Sequence, residues 1–502
     1  MTIATTTAGQ PQEPRNHVLD VVIIGAGFSG ICAGIKLKEQ GIENYKIFEK
    51  APKVGGTWYH NTYPGVACDV ASHLYCFSFE PNANWSRVFS PGNEIRDYIE
   101  YCANKYKVTP HINHGMEHIS STFNNETKLW DSQFSDGTMV SSHHVISGSG
   151  GLHVPSYPNL KDTALFKGPT MHSAAWNHDV DLKGKRIAII GSAASAVQII
   201  PELAEIASHL DVYQRTPNYI MPRNNRNYTD KEKGRFSSWP LLNKIYRHFL
   251  FLKGDVLTFP LVKTKEPTKY SERATRLING FMKMVVKDNS VHEALTPSYP
   301  PGCKRILLSD DFFATLNRDN VDLITGGATG LTENGVLDSE GKEHTADVII
   351  YATGFDIDKH MFSTQYIGPN GVDLREQWKK MPEAYEGAMV AGYPNLYFTT
   401  GPNTGVGTTS VVYMIEKQVE YIMQAIKKSG TNKMISVKRQ VMDDFNEEIQ
   451  GKLQQTVWAG NCKSYYKRED GKIATLYPYN ARTFRNRHKR LKTKEFDIIS
   501  KA

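Results

Sequence analysis

Residues 17–41 read HVLDVVIIGAGFSGICAGIKLKEQG, and the order of residue types in them decides the fold. Val18–Ile24 is a β-branched run of the kind that forms a strand buried on both faces of a parallel sheet. Gly25, Gly27 and Gly30 follow as G-x-G-x-x-G, and a helical pattern then runs to Gly41. Next, YKIFEK reads as a second strand closing on Glu49. Strand, glycine loop, helix and strand make a βαβ unit with the dinucleotide fingerprint in its proper context. The first glycine allows the tight turn, the second lets backbone approach a pyrophosphate, and the third lets helix pack on strand. The helix N-terminus faces the phosphates, and Glu49 can accept hydrogen bonds from ribose hydroxyls.

A second unit begins at GKRIAIIGSAASAVQIIPELA and continues into HLDVYQRTP. Its strand, Arg186–Ile190, leads to Gly191, with Ala193 and Ala196 where the other two glycines would stand. Alanine is accepted at the third position, whereas at the second it puts a methyl group where pyrophosphate approaches. Gly25 to Glu49 spans 24 residues, and so does Gly191 to Arg215. A cation and the hydroxyl of Thr216 thus replace a carboxylate, which suits the 2′-phosphate of NADP. Two nucleotides on one chain imply electron transfer between them, with NADPH delivering hydride and FAD in the first site.

Composition narrows the rest. The chain has 502 residues, 40% hydrophobic and 22% charged, as in a globular protein of several domains. Its net charge of +7 suits nucleic acid or a membrane and equally an anionic cofactor. The basic run Arg482–Lys494 lacks interleaved stacking aromatics, so it reads as a solvated, frayed tail and no nucleic acid partner is expected. The six cysteines form no C-x-x-C pair, which argues against disulfides, zinc and a redox dithiol, and for a reducing, cytoplasmic compartment. No metal is expected. The first 17 residues have no signal-peptide pattern and read as a disordered lead-in. No apolar run is long enough to span a membrane, so stable membrane insertion is not expected.

Between the two loops, FKGPTMHSAAW (166–176) fits neither a helical face nor a strand alternation. Phe166, Gly168, His172 and Trp176 match F-x-G-x-x-x-H-x-x-x-W, the fingerprint of the Baeyer–Villiger monooxygenases, a class B flavoprotein family that this chain resembles. A second family motif, G-x-W-x-x-x-x-Y-P-G-x-x-x-D, is matched by Gly56, Trp58, Tyr63, Pro64, Gly65 and Asp69. CKRILLSDDFFATLNRDNV (303–321), YATGFD (351–356) and GPNTGVG (401–407) resemble further family segments in matching order.

The resemblance implies an α/β fold of two Rossmann-type dinucleotide-binding domains with an inserted small helical subdomain. The FAD domain is expected over residues 1–150 and 350–502, the NADP domain over 151–217 and 300–349, and the helical subdomain over 218–299. In the last, apolar residues at helical spacing read as core. Cofactor-binding residues are expected at Gly25, Gly27, Phe28, Ser29, Gly30, Glu49, Lys50, Gly56, Thr57, Trp58, Tyr63, Asp69, Val70 and Tyr75 around the first loop. Gly191, Ser192, Ala193, Ser195, Ala196, Arg215, Thr216 and Lys304 are expected around the second, and Ala352, Thr353, Gly354, Asn403 and Thr404 on the returning chain. In the family, the string at 166–176 is a linker whose His and Trp couple NADP binding to domain movement.

The implied reaction takes NADPH and O₂, and converts a ketone to an ester or lactone through a C4a-peroxyflavin. A permanently charged guanidinium suits both the peroxide anion and the Criegee oxyanion, and Arg305, held by Asp69, is the candidate. The partners are then a small-molecule ketone, open-chain or aryl-alkyl before cyclic, and O₂, with the chain a monomer or weak homo-oligomer. An N- or S-oxygenating flavin enzyme and an uncoupled NADPH oxidase stay open as alternatives.

Overall fold

The strand β1 (Leu19–Ile24) begins one residue later than the sequence reading placed it, and every residue in it but Asp20 is buried. The computed structural model describes residues 18–356, 364–460, 462, 466–468 and 470–501, so the expected lead-in over residues 1–17 lies outside the described residues. Helix α1 (Phe28–Glu39) carries the chain back, and β2 (Tyr45–Glu49) pairs parallel to β1, from Val21 opposite Tyr45 to Ile24 opposite Phe48. A Cβ on Gly30 would sit 1.8 Å from the Gly25 carbonyl oxygen, so only glycine lets the helix start this close to the loop.

After α2 (Thr57–His60) and α3 (Gly92–Lys105) come β3 (Ile112–His114), β4 (His118–Asn124), β5 (Leu129–Phe134) and β6 (Met139–Ser147). The first sheet runs in the order Gln365–Ile367, β4, β5, β6, β1, β2, β3. The short strand Leu396–Phe398 pairs parallel with the last residues of β6, Val145–Ser147. One sheet is therefore assembled from two widely separated stretches of chain.

The second sheet is inserted between them. It holds β7 (Thr170–His172), β8 (Arg186–Ile190), β9 (His209–Gln214) and the strands Val321–Thr325 and Val348–Tyr351. All pair parallel in the order Val321–Thr325, β9, β8, Val348–Tyr351, β7, with helix α4 (Ala194–Ile206) between β8 and β9. Two expectations need correction. The fingerprint string is not wholly a linker, because its residues 170–172 form an edge strand of this sheet. The expected division at residues 349 and 350 falls inside the strand Val348–Tyr351, which pairs along its length with β8. The two crossings between sheets run side by side, with Pro155 bridged to Phe355.

Residues 218–299 form helices α5 (Asp230–Ser238), α6 (Pro240–Lys253), α7 (Phe259–Val262) and α8 (Lys269–Val285). Capping boxes start two of them: Thr229 with Glu232, and Thr268 with Ser271. The apolar residues expected to be core are so in part: on α8 Ile278 and Met282 are buried and Phe281 and Val285 pack against the core, whereas one row on α6 faces outward. Helix α6 buries Asn243, Arg247 and Phe251 and exposes Leu241, Ile245 and Phe249. Helical spacing shows that a stripe exists; it does not say which way the stripe faces.

The basic segment Arg482–Lys494 is not a frayed tail. Helix Ala481–His488 buries Phe484 and His488, and Arg487 pairs with Glu386 and Glu448. The strand Phe496–Ser500 then pairs antiparallel with Lys433–Val437. The cysteine reading fails at one pair: Cys303 and Cys462 are disulfide-bonded, with Cα atoms 6.4 Å apart at a sequence separation of 159. Fold, not local spacing, brings them together. Cys32, Cys68, Cys76 and Cys102 are free and buried. Among the described residues no helix is long and apolar enough to cross a membrane.

Candidate active site and cofactor sites

The first loop meets the following segment through backbone. Gly27 and Gly56 approach so closely that a Cβ on Gly27 would lie 3.4 Å from the Gly56 Cα. Gly27 is the N-cap of α1 and no side chain caps that helix end, so its first amides face the open loop. Phe28 and Ser29 are buried in its first turn. Glu49 is buried, and its carboxylate accepts from the amides of Ala26 at 2.6 Å and Ala51 at 2.8 Å. Those bonds fix it at the strand end and leave each oxygen a second lone pair. Lys50 is exposed beside it.

Beyond β2 the chain passes Thr57, Trp58, Val70 and Tyr75, all half-buried. Tyr75 packs edge-on against Phe28 and against Trp58, with ring centroids 5.4 and 5.6 Å away. The Y-P-G turn docks on the second unit. The Tyr63 hydroxyl donates to Gln198 Oε1 at 3.1 Å, and Gln198 Nε2 donates to the Ala67 carbonyl at 2.9 Å. Burial pushes the Tyr63 hydroxyl up to about 12, so it stays a donor. Gly65 has φ +76°, and a Cβ there would lie 2.5 Å from the Gln198 carbonyl oxygen. The sequence reading missed Gln198, because one glutamine on an amphipathic helix carries no local signal.

Two residues past Ala67 stands Asp69. Its Oδ1 accepts from Arg305 Nη2 at 2.6 Å, across 236 residues of sequence. Both side chains are about one-third exposed, 27% and 36%. The expected pair is thus assembled.

At the second loop, Gly191 has φ +119° and Ala193 caps α4 with its side chain exposed, while Ser192 and Ala196 are buried and Ser195 half-buried. No side chain caps this helix either. Arg215 is exposed and Thr216 half-buried at the end of β9. Lys304 is half-buried with its ammonium 4.9 Å from the Tyr299 ring centre. Burial, and then the charge of Arg215, hold the Lys304 ammonium below its usual value. The charge of Arg215 thus reaches the Lys304 ammonium.

The fingerprint residues separate. Phe166 packs against the core that includes Tyr213 and Tyr351, while Trp176 packs on the other face of the sheet with Tyr63 and Met171. Gly168 leaves no room for a side chain, since a Cβ would meet the Asp347 carbonyl oxygen at 2.4 Å. His172 is fully buried, and burial lowers its pKa. The Ala174 amide donates to its Nδ1 at 3.0 Å, which places the proton on Nε2, 3.4 Å from Thr353 Oγ1. Thr353 donates to the Ser156 carbonyl at 2.6 Å, between half-buried Gly354 and buried Ala352. His172 thus locks the two crossings together. Asn403 Nδ2 donates to the carbonyls of Ile473 and Leu476, and its Oδ1 is buried with no protein partner among the described residues. Thr404 donates to the Gly401 carbonyl.

Known proteins share this fold. A family described as NAD(P)-binding Rossmann-like domain matches residues 23–91, and one described as L-lysine 6-monooxygenase/L-ornithine 5-monooxygenase matches residues 71–300. A Baeyer-Villiger monooxygenase of Pseudomonas aeruginosa is 40% identical, over 95% of this chain and 90% of that protein. Another, from Streptomyces coelicolor, is 34% identical over 98% and 94%. Among solved structures, an oxidized steroid monooxygenase bound to NADP has a TM-score of 0.86 at 27% identity, over 97% of this chain and 100% of that one. A closed cyclohexanone monooxygenase matches at TM-score 0.86 and 26% identity, with the same coverage. Fold and site together define a flavin- and NADP-dependent monooxygenase. The chain belongs to the Baeyer–Villiger monooxygenase family.

Proposed function

We propose that this chain oxidises ketones, open-chain or aryl-alkyl before cyclic, to esters or lactones at the Arg305–Asp69 pair. The observation that carries the proposal is the 2.6 Å bond between Arg305 and Asp69, which fixes a permanent cation on a partly exposed carboxylate. The residues fit both cofactors. The uncapped α1 terminus and the Gly27–Gly56 approach make a cradle for the FAD pyrophosphate that any Cβ would narrow, with Glu49 at the ribose. Arg215, Thr216 and Lys304 would hold the 2′-phosphate of NADP, since the charge of Arg215 felt at Lys304 is relieved by a bound dianion.

FAD bound here and reduced by NADPH would supply an oxygen atom of O₂ in activated form. Arg305 would stabilise the oxyanion formed on the substrate carbonyl oxygen when that oxygen adds to the carbonyl carbon, until a carbon migrates to oxygen and the carbonyl re-forms, and Asp69 holds the guanidinium in place. His172 acts as a positioning residue on the crossings, neutral and with one fixed tautomer. The chain works as a monomer or weak homo-oligomer, since one chain supplies every residue named, and in the cytoplasm, where NADPH is supplied.

A second reading, N-oxygenation, is favoured by the match over residues 71–300 to the lysine and ornithine monooxygenase family. Product analysis with a ketone, a thioether and a primary amine separates the two. The purified protein is expected to be yellow and to release ester from the ketone. Oxygenated amine or sulfoxide with no ester would overturn the ketone assignment.

A further inference from the structure

Helix α6 turns its polar groups inward. Asn243 Oδ1 lies 2.9 Å from His73 Nδ1, and Arg247 donates to the carbonyls of His73 and Leu74 at 3.1 and 3.0 Å. Just past the helix, buried Asp255 accepts from the Ala481 amide at 3.0 Å. The opposite side presents Leu241, Ile245 and Phe249, spaced by four residues and so nearly aligned. With Trp239 at the start of the row, these side chains are 57–69% exposed. A surface helix ordinarily does the reverse, burying its apolar stripe.

The row continues beyond α6. Leu257 is half exposed, and the Tyr270 hydroxyl donates to its carbonyl at 2.7 Å, joining the row to the first turn of α8. There Tyr270, Leu277 and Met284 recur every seven residues, the last two 67% and 76% exposed. Single exposed apolar side chains are ordinary, whereas a contiguous row marks a binding surface.

Cations rim it. Lys244 and Lys253 flank the row on α6, Lys263 and Lys265 follow α7, and Arg273 and Arg276 lie along α8. All six are exposed. Residues 218–299 hold 15 Lys and Arg against 7 Asp and Glu, a net +8 in a chain whose total is +7. The molecule's excess positive charge is therefore concentrated on this one subdomain. The cores of protein interfaces are depleted of lysine, so lysines interleaved with hydrocarbon disfavour a protein partner. The headgroup region of an anionic bilayer accepts both, with aliphatic and Trp side chains at the acyl boundary and Lys and Arg on phosphate.

We infer that α6 to α8 form a docking surface for an anionic lipid bilayer. The helices lie in the headgroup plane, with Trp239, Leu241, Ile245 and Phe249 dipping toward the acyl chains. Docking there would bring the protein to apolar ketones dissolved in the membrane, although the inference stands on the surface alone.

The test is sedimentation of the FAD-loaded protein with vesicles of phosphatidylcholine alone or with about one-third phosphatidylglycerol, at low and at 0.5 M salt (roughly a threefold shorter screening length). Binding to the anionic vesicles at low salt is expected, at least tenfold above the neutral ones, since each basic residue near such a surface strengthens partitioning about fivefold. Ile245→Glu with Phe249→Glu, and separately Lys263→Glu with Lys265→Glu, are each expected to lose at least ten-fold in binding while ketone-dependent NADPH oxidation stays at the parent rate. Equal pelleting with neutral vesicles, or none with either, overturns the inference. So does velocity sedimentation showing that Ile245→Glu with Phe249→Glu dissolves a dimer of the parent that does not bind lipid.

Discussion

The charge of Arg305, held on Asp69, can be removed by a single substitution. If it stabilises developing negative charge, Arg305→Ala keeps the reduction of FAD by NADPH and loses ester formation by roughly two or more orders of magnitude. Rapid mixing with NADPH, followed by product analysis under O₂, separates the two steps, and the missing product is expected to reappear as hydrogen peroxide. Arg305→Lys rescues poorly, because an ammonium lacks the planar fork that meets Asp69. Asp69→Ala gives a milder form of the same loss, and the double variant is less than additive if the pair acts as a unit. Parent-like ester formation by Arg305→Ala would remove it from the chemistry. At the other cofactor, Arg215→Ala is expected to raise the KM for NADPH while leaving that for NADH nearly unchanged, as charge-assisted bonds to the 2′-phosphate are lost. Steady-state kinetics with both coenzymes decides it, and equal weakening of both would place the phosphate elsewhere.

Elements meet at one clamp, where Gln198 of α4 bonds to Tyr63 and Ala67 of the first unit. Gln198→Ala should slow flavin reduction by NADPH roughly tenfold, the scale of losing hydrogen bonds that leave partners unpaired, with FAD content unchanged. Gly65→Ala should do worse, since its Cβ would meet backbone and not a side chain that can turn aside. Anaerobic reduction rates measure both, and unchanged rates in each would make the clamp structural only. The elements themselves were legible to differing degrees. β-Branched runs before glycine loops located β1 and β8 to within a residue, because a buried parallel strand leaves little choice of side chain, and β2 followed from its place after the first helix. The Arg305–Asp69 pair was legible only through motif order, since nothing near either residue names the other. Cys303 and Cys462 were illegible, because their meeting depends on how the C-terminal segment folds back. Phe484 and His488 sit one helical turn apart inside a run of arginines, and the charge hid the turn that docks them.

At the scale of the whole molecule, the first unit cannot be cut from the front of the chain. The strand Leu396–Phe398 completes the sheet beside β6, and the helix Val411–Ser429, twelve of whose residues are buried, covers α1. A chain ending before Leu396 keeps both glycine loops, yet it is expected to retain no FAD, as absorbance of the purified fragment would show. A fragment that stays yellow would mean that the front segment folds alone.

That late strand also sets a schedule. As the protein is synthesised, the backbone of Val145–Ser147 emerges with no neighbour on one side until Leu396–Phe398 arrives. At ribosomal speeds of about 5–20 residues per second, a wait of roughly 250 residues lasts on the order of 12–50 s. Through that interval an apolar strand edge stands open to other nascent chains. The yield of folded enzyme in a cell is then governed by how well chaperones shield that edge, more than by the stability of the finished protein.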